Sequence, residues 1–131
     1  MIEFVKCTSD YWEFVRQLRN DSRVQDGFIE QANITREQQT TYMNNNAKHY
    51  RIALVDSQPA GYVGVIDNDI RICTHPDFQG LGVGGFMLTA IMEEYPNAYG
   101  KVKLDNEASK KLFKSVGFTE SFVIFTKKQN G

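Results

Sequence analysis

Cysteine is nearly missing from this chain of 131 residues, where only Cys7 and Cys73 occur. Two residues so far apart cannot build a disulfide framework or a zinc site, so both are expected as reduced thiols of a cytoplasmic protein with no metal. An excess of either charge is missing too: 15 Lys and Arg stand against 16 Asp and Glu, for a formal net charge of −1. That balance gives no electrostatic reason to expect a nucleic acid or an anionic membrane as partner. No apolar run reaches membrane-spanning length, and residues 1–6 read as a strand, not as a secretory leader. Repeats and low-complexity linkers are absent, and only residues 127–131 read as a frayed tail. A single domain over residues 1–131 is expected, large enough to bury a core without disulfides.

What is present changes its period along the chain. Residues 2–6 predict a short strand. Asp10 and Glu13 then have the spacing of a capping box, with Tyr11, Val15 and Leu18 on one face of a helix ending near Asn20. Residues 21–34 predict an irregular connection. Thr35 and Gln38 form a second capping box, opening a polar helix to about Lys48 whose thin apolar face (Tyr42, Met43, Ala47) suits the surface, over a cleft. Residues 50–55, 60–66 and 70–74 follow as strands joined by short turns, which forces antiparallel neighbours. A helix to about Tyr95, a strand over 99–104, a helix over 106–116 closed by Gly117, and a last strand over 118–126 complete the order βααβββαβαβ. The expected class is α/β, a layered domain around a mixed, mostly antiparallel sheet.

Glycine is concentrated where a strand gives way to a helix: Gly80, Gly82, Gly84 and Gly85 fall within six residues. Such a turn leaves backbone amides pointing outward at the positive end of a helix dipole, with no Cβ atoms to keep a bulky ligand away. That is an anion site, best suited to a phosphate. The spacing satisfies the dinucleotide fingerprint, with Asp105 at a strand end about twenty residues on. Three features oppose that reading. Residues 75–79 separate the strand from the first glycine, the preceding strands are antiparallel, and the 26 residues after Asp105 are too few for a doubly wound sheet.

A strand, then Pro76-Asp77-Phe78-Gln79-Gly80-Leu81-Gly82-Val83-Gly84, then a helix resembles the acetyl-CoA motif of the GNAT superfamily of N-acetyltransferases. That motif is Gln/Arg-x-x-Gly-x-Gly/Ala, here Gln79, Gly82 and Gly84. Asn106, Ala108, Leu112, Phe113, Gly117 and Phe118 are similar to the family's second motif, and the element order matches over nearly the whole chain. The resemblance implies a GNAT-type acyltransferase fold with acetyl-CoA as donor. It implies that Gly80, Leu81, Gly82, Val83, Gly84 and Gly85 surround the pyrophosphate with backbone amides. Ile72, Cys73 and Thr74 would present the strand edge to the pantetheine arm, and the amide of Cys73 would stabilise the oxyanion. Asn106 falls at the position that hydrogen-bonds the pantetheine, and serves equally as a helix N-cap.

The implied reaction is direct attack of a neutral amine on the thioester in a ternary complex, with a base for the amine proton and a tyrosine for the departing thiolate. Here the chain departs from its relatives, because the tyrosine position is Phe113. Tyr99 is the neighbouring candidate acid; otherwise CoA leaves as a thiolate. Asp67 and Asp69 are the candidate bases, and equally residues of a turn. Glu30 lies where relatives form the acceptor wall. His49 and His75 suit structural roles. Nothing in sequence activates Cys73 as a nucleophile.

The N-terminal half is similar to a branch that includes acetyltransferases of nucleotide-linked amino sugars, so a small primary amine is the implied acceptor. Arg16, Arg19 and Arg23 would suit a phosphate or carboxylate on it, or else form a solvated helix face. Lys101-Val102-Lys103 lacks the glutamate that protein N-terminal acetyltransferases carry there, which disfavours that alternative. Phe113 leaves open a non-catalytic acyl-CoA-binding domain. Only one short strand fits after Phe118, so the cleft is expected to be open or completed by a second subunit, as in a homodimer.

Overall fold

The computed structural model describes residues 1–31 and 33–127. Strands β1 (Ile2–Lys6), β2 (Tyr50–Val55), β3 (Gln58–Ile66) and β4 (Asp69–Thr74) form one antiparallel sheet in the order β1-β2-β3-β4. Two two-residue turns set its register. Asp56 and Ser57 join β2 to β3, Asp67 and Asn68 join β3 to β4, and all four take positive φ (49°, 68°, 51° and 65°). Such turns match the right-handed twist of the strands they join, and Asp and Asn tolerate the left-handed region better than most residues.

Both faces of the sheet are covered. Helices α1 (Trp12–Asn20) and α3 (Arg36–Asn46) cover one, where Val15, Leu18 and Met43 pack with Tyr50, Ile52, Leu54 and Tyr62. Helices α4 (Val83–Glu94) and α5 (Glu107–Ser115) cover the other, where Val83, Met87, Leu88, Ile91 and Phe113 pack with Ala53, Val63, Val65 and Ile70. Neighbouring residues of a strand therefore enter different cores, as Ile52 and Ala53 do, and the central strands are apolar on both sides.

The second capping box forms as expected, with Gln38 N donating to Thr35 Oγ1 at 3.1 Å and Thr35 N to Gln38 Oε1 at 2.9 Å. Gly117 closes α5 at φ 98°, where Phe118 N donates to Phe113 O and Gly117 N to Lys114 O, a Schellman arrangement. Four expectations need correction. Asp10 does not cap α1; residues 9–11 form a 3-10 turn, and Glu13 turns to Arg16 instead. The connection after α1 contains a short helix, α2 (Ser22–Gln25), capped by Asp21. Residues 99–104 make a single parallel bridge, Tyr99 to Asp69, and no continuous strand. Residues 118–126 form no strand, and Phe122 and Phe125 are 95% and 93% exposed. The aromatic and β-branched run Phe122-Val123-Ile124-Phe125 supplies strand propensity, but a strand also needs a neighbour.

Gly64 is the contact that seats Tyr50. A Cβ there would lie 2.5–2.8 Å from three atoms of the Tyr50 ring. Gly64→Ala should lower stability by about 1–3 kcal/mol, read as a lower urea midpoint with an unchanged slope; an unchanged midpoint would refute this packing.

Candidate active site

The site begins where β4 loses its outer neighbour. Ile70 N donates to Tyr99 O at 2.9 Å and Tyr99 N to Asn68 O at 2.8 Å, and among the described residues no further bridge follows. Backbone groups alternate in direction along a strand. With Ile70 turned outward, Ile72 and Thr74 are turned outward too, while Arg71 and Cys73 face β3. His75 confirms the phase, since its amide donates inward to Ala60 O at 2.7 Å. The open edge of β4 is therefore Ile72 and Thr74. The expected oxyanion donor, the amide of Cys73, is corrected on this ground: it pairs within the sheet.

After β4 a 3-10 turn over Pro76–Phe78 leads to the glycine loop, which turns into α4. Gly80 and Gly82 have φ of 82° and 80°, and Gly82 is the N-cap. The first helical bond is Phe86 N to Gly82 O at 3.0 Å, so the amides of Val83, Gly84 and Gly85 have no intrahelical acceptor. Space lies above Gly80, Gly82 and Gly85, where an added Cβ would meet nothing within 4 Å. Gly84 serves packing instead, because a Cβ there would lie 3.2 Å from Leu112 of α5. Val83 is buried, Leu81 is exposed, and Gln79 ends the turn before the loop.

The far wall comes from α5. Asn106 Oδ1 accepts from Ser109 N at 3.1 Å as the N-cap, and its amide nitrogen donates to Gly27 O at 3.4 Å, tying the wall to the loop after α2. Phe113 is buried edge-on against Phe118, with ring centroids 5.1 Å apart, and its ring occupies the place of a Cβ on Gly100.

Between these walls lies a cleft lined by Arg19, residues 27–30, Tyr50, Tyr62, residues 69–72, Lys101, Val102, Asn106, Ser109 and Phe113. Its floor on the α1 side is tyrosine: Tyr42 and Tyr50 share a hydrogen bond of 2.7 Å between hydroxyls, and burial raises the pKa of Tyr50 and Tyr62 well above the ordinary phenol value. Asp69 holds two cations, Arg71 at 3.3 Å and Lys101 at 3.8 Å.

The sequence candidates divide accordingly. Ile72, Asn106, Phe113, Asp69 and Glu30 line the cleft; Asp67 and Tyr99 are not among its lining residues. Asp67 occupies the left-handed turn, and Tyr99 is 47% exposed with the Lys101 ammonium 5.9 Å from its ring. His75 Nδ1 accepts from Asp77 N, and His49 Nδ1 lies 3.3 Å from Tyr95 Oη. Tyr50, Tyr62, Arg71 and Lys101 escaped sequence reasoning, although Arg71, a charge inside the run Ile70-Arg71-Ile72, was a usable signal.

Burial foremost, and then the Asp21 carboxylate, push the Cys73 thiol up to about 12, against a weaker pull from Arg19. Raised above its unfolded value, the thiol stays protonated through the neutral range. At pH 8 iodoacetamide should therefore modify native Cys73 about 10³-fold more slowly than the unfolded chain, with the rate climbing steadily above pH 9. Mass spectrometry reads both rates; equal labelling of the two states would overturn this environment.

Comparison with known proteins places this geometry in a family. The family model of the acetyltransferase (GNAT) family matches residues 9–118. A search of curated proteins finds no match. Among solved structures, the chain is similar to spermidine N-acetyltransferase from Vibrio cholerae in complex with CoA and spermine, at 15% identity and TM-score 0.78, covering 92% of this chain and 82% of that one. It is similar to an aminoglycoside N-acetyltransferase in complex with CoA, at 18% identity and TM-score 0.72, covering 99% and 96%. A ribosomal-protein-alanine N-acetyltransferase from Brucella melitensis aligns at 17% identity and TM-score 0.77, covering 93% and 86%. At these identities the structures speak for the fold, and the family match extends over most of the sequence: the chain belongs to the acetyltransferase (GNAT) family.

Proposed function

We propose that the protein is an acetyl-CoA-dependent N-acetyltransferase of a small primary amine, working by direct attack in a ternary complex. One observation carries this reading: an open strand edge, Ile72 and Thr74, is followed, after one 3-10 turn over Pro76–Phe78, by a left-handed glycine loop at the start of a twelve-residue helix. A ligand whose extended arm leads into a pyrophosphate fits that sequence of donors. Its arm pairs with the edge as an added strand does, and its anion meets the amides of Val83, Gly84 and Gly85. The cradle is open, since Cβ atoms at Gly80, Gly82 and Gly85 would meet nothing. CoA bound in the spermidine and aminoglycoside enzymes supports this choice of cofactor.

When bound, acetyl-CoA supplies a thioester carbonyl open to attack by an amine. The chain supplies the rest. The outward amides of Ile72 and Thr74 polarise the carbonyl oxygen. Asp69 is occupied by Arg71 and Lys101, whereas Glu30 lines the cleft with no ion pair among the described residues, which makes Glu30 the better acceptor of the amine proton, directly or through water. Buried Phe113 donates no proton, and CoA leaves as a thiolate. Cys73, a protonated thiol packed against the core on the α1 side of the sheet, takes no acyl group.

We also read the protein as a homodimer. Phe122, Val123, Ile124 and Phe125 are 65–95% exposed in one copy. At about 150–250 Å² per aromatic side chain, Phe122 and Phe125 present roughly 300–500 Å² per copy, and Val123 and Ile124 bring two copies toward the roughly 1,200 Å² in total at which stable interfaces begin. Light scattering should give a dimer mass at micromolar concentration, and Phe122→Ser with Phe125→Ser should return it to one chain. A monomeric parent would overturn the reading.

The enzymatic reading is tested by release of CoA thiol against a panel of amines. Turnover with at least one amine is expected, and Glu30→Gln should lower kcat by about 10²-fold or more. Tight acetyl-CoA binding without turnover on any amine would show a binding domain instead. Gly82→Leu should abolish acetyl-CoA binding, measured by calorimetry, because a branched side chain at φ 80° strains the loop and fills the cradle; unchanged affinity would refute the site.

A further inference from the structure

The three arginines on and beside α1 have different surroundings. Arg16 donates from Nε to Glu13 at 2.9 Å and from Nη1 to the Ile34 carbonyl at 3.1 Å. Arg23 is forked onto Asp21 at 3.0 and 2.6 Å and reaches Asp77 at 3.6 Å. Arg19 differs from both. It is half-buried and lines the cleft, and among the described residues its guanidinium has no ion pair and no hydrogen bond. A guanidinium offers five donors in a planar fork, and one that faces a cleft with none of them engaged by the described residues is available to the oxygens of a ligand.

The charges around it point the same way. Its positive field reaches Tyr62 and Cys73, which places it over the floor formed by β3 and β4, on the acceptor side of the sheet. The cleft is lined by three cations (Arg19, Arg71, Lys101) and two carboxylates (Glu30, Asp69), and Asp69 is already shared by Arg71 and Lys101. A polycationic acceptor would meet like charge there. The acceptor fitted by this lining has a positive or neutral amine near Glu30 and negative oxygens near Arg19.

We propose that Arg19 anchors an oxyanion on the acceptor, so that the substrate is a small amine bearing a carboxylate or a phosphate, and not a polyamine or an aminoglycoside. This rests on the amine-acetylation reading and narrows it. Arg19 is a specificity determinant in this assignment. Its planar fork fits two oxygens of one group, and a charge-assisted pair of that kind, partly shielded from water, is stronger than a neutral hydrogen bond.

Matched acceptors test it: an amino sugar with and without a phosphate ester, and an amino acid with and without amidation of its carboxylate. KM in the thiol-release assay should be about 10- to 100-fold lower for the anionic member of at least one pair, and the pair with the larger gap tells which oxyanion is read. Spermidine and an aminoglycoside should be poorer than that member. Arg19→Gln should remove the preference and Arg19→Lys restore part of it, with the acetyl-CoA dissociation constant and thermal midpoint as controls. Calorimetric binding of the same pairs to the enzyme–CoA complex reads the preference without turnover. Arg19-dependent binding of the anionic member without any acetylation would sink the enzymatic reading and keep the anion site. Equal affinities within both pairs, a preference for the polycations, or an Arg19→Gln defect confined to acetyl-CoA affinity would overturn the proposal.

Discussion

Two hydrogen bonds at Tyr99 hold β4 to the segment that follows α4, and the cleft exists because they are not continued. A sheet that gained a regular fifth strand would satisfy the outer groups of Ile72 and Thr74 internally and leave a ligand nothing to pair with. The parting also leaves room for the loop after α2, which reaches across to Asn106 through the Gly27 carbonyl and to Lys103 Nζ through the Asp26 carbonyl at 2.8 Å. One interrupted ladder thus yields an edge for an extended arm and a wall for a second molecule. The glycine loop takes its place from the same edge, because a single 3-10 turn over Pro76–Phe78 joins it to the end of β4.

Packing fixes the rest. Gly100 and Phe113 meet so closely that a methyl group on the one would overlap the ring of the other, and Gly84 lets α4 lie against Leu112. These two contacts set α5, and with it Asn106, relative to the helix whose first turn faces the proposed pyrophosphate. The tyrosine floor answers to the opposite core. Tyr50 sits over Gly64, and Tyr42 reaches its hydroxyl from α3, so the polar helix with a thin apolar face has a purpose. It carries one end of a hydroxyl pair to the tyrosine that lines the cleft.

Much of this was legible in the residues. The four paired strands, the Thr35 capping box, the glycine loop and the Gly117 stop each follow from local chemistry, which one stretch of chain determines by itself. What stayed hidden depends on neighbours. Which amides of β4 stay open depends on two partners: the register with β3 turns the Cys73 amide inward, and the outer bonds to Tyr99, from the far side of α4, end at Ile70. The environment of Arg19 depends on where Glu13, Asp21 and Asp77 find their own partners. Residues 118–126 have the composition of a strand, and composition says nothing about whether an edge is available to receive it.

That last segment has a consequence in the direction of its pairing. Residues 121–126 carry no charge, and they are bounded by Glu120 on one side and Lys127 on the other. Stacked parallel and in register, two such segments would set glutamate beside glutamate and lysine beside lysine. Turned antiparallel about a two-fold axis, each glutamate faces the other chain's lysine. Like charges directly opposite destabilise a ladder and unlike charges support it. In the homodimer proposed above, the same two residues therefore favour antiparallel over parallel in-register pairing, so the charges that bound the most apolar exposed stretch of the chain select the direction in which two copies meet.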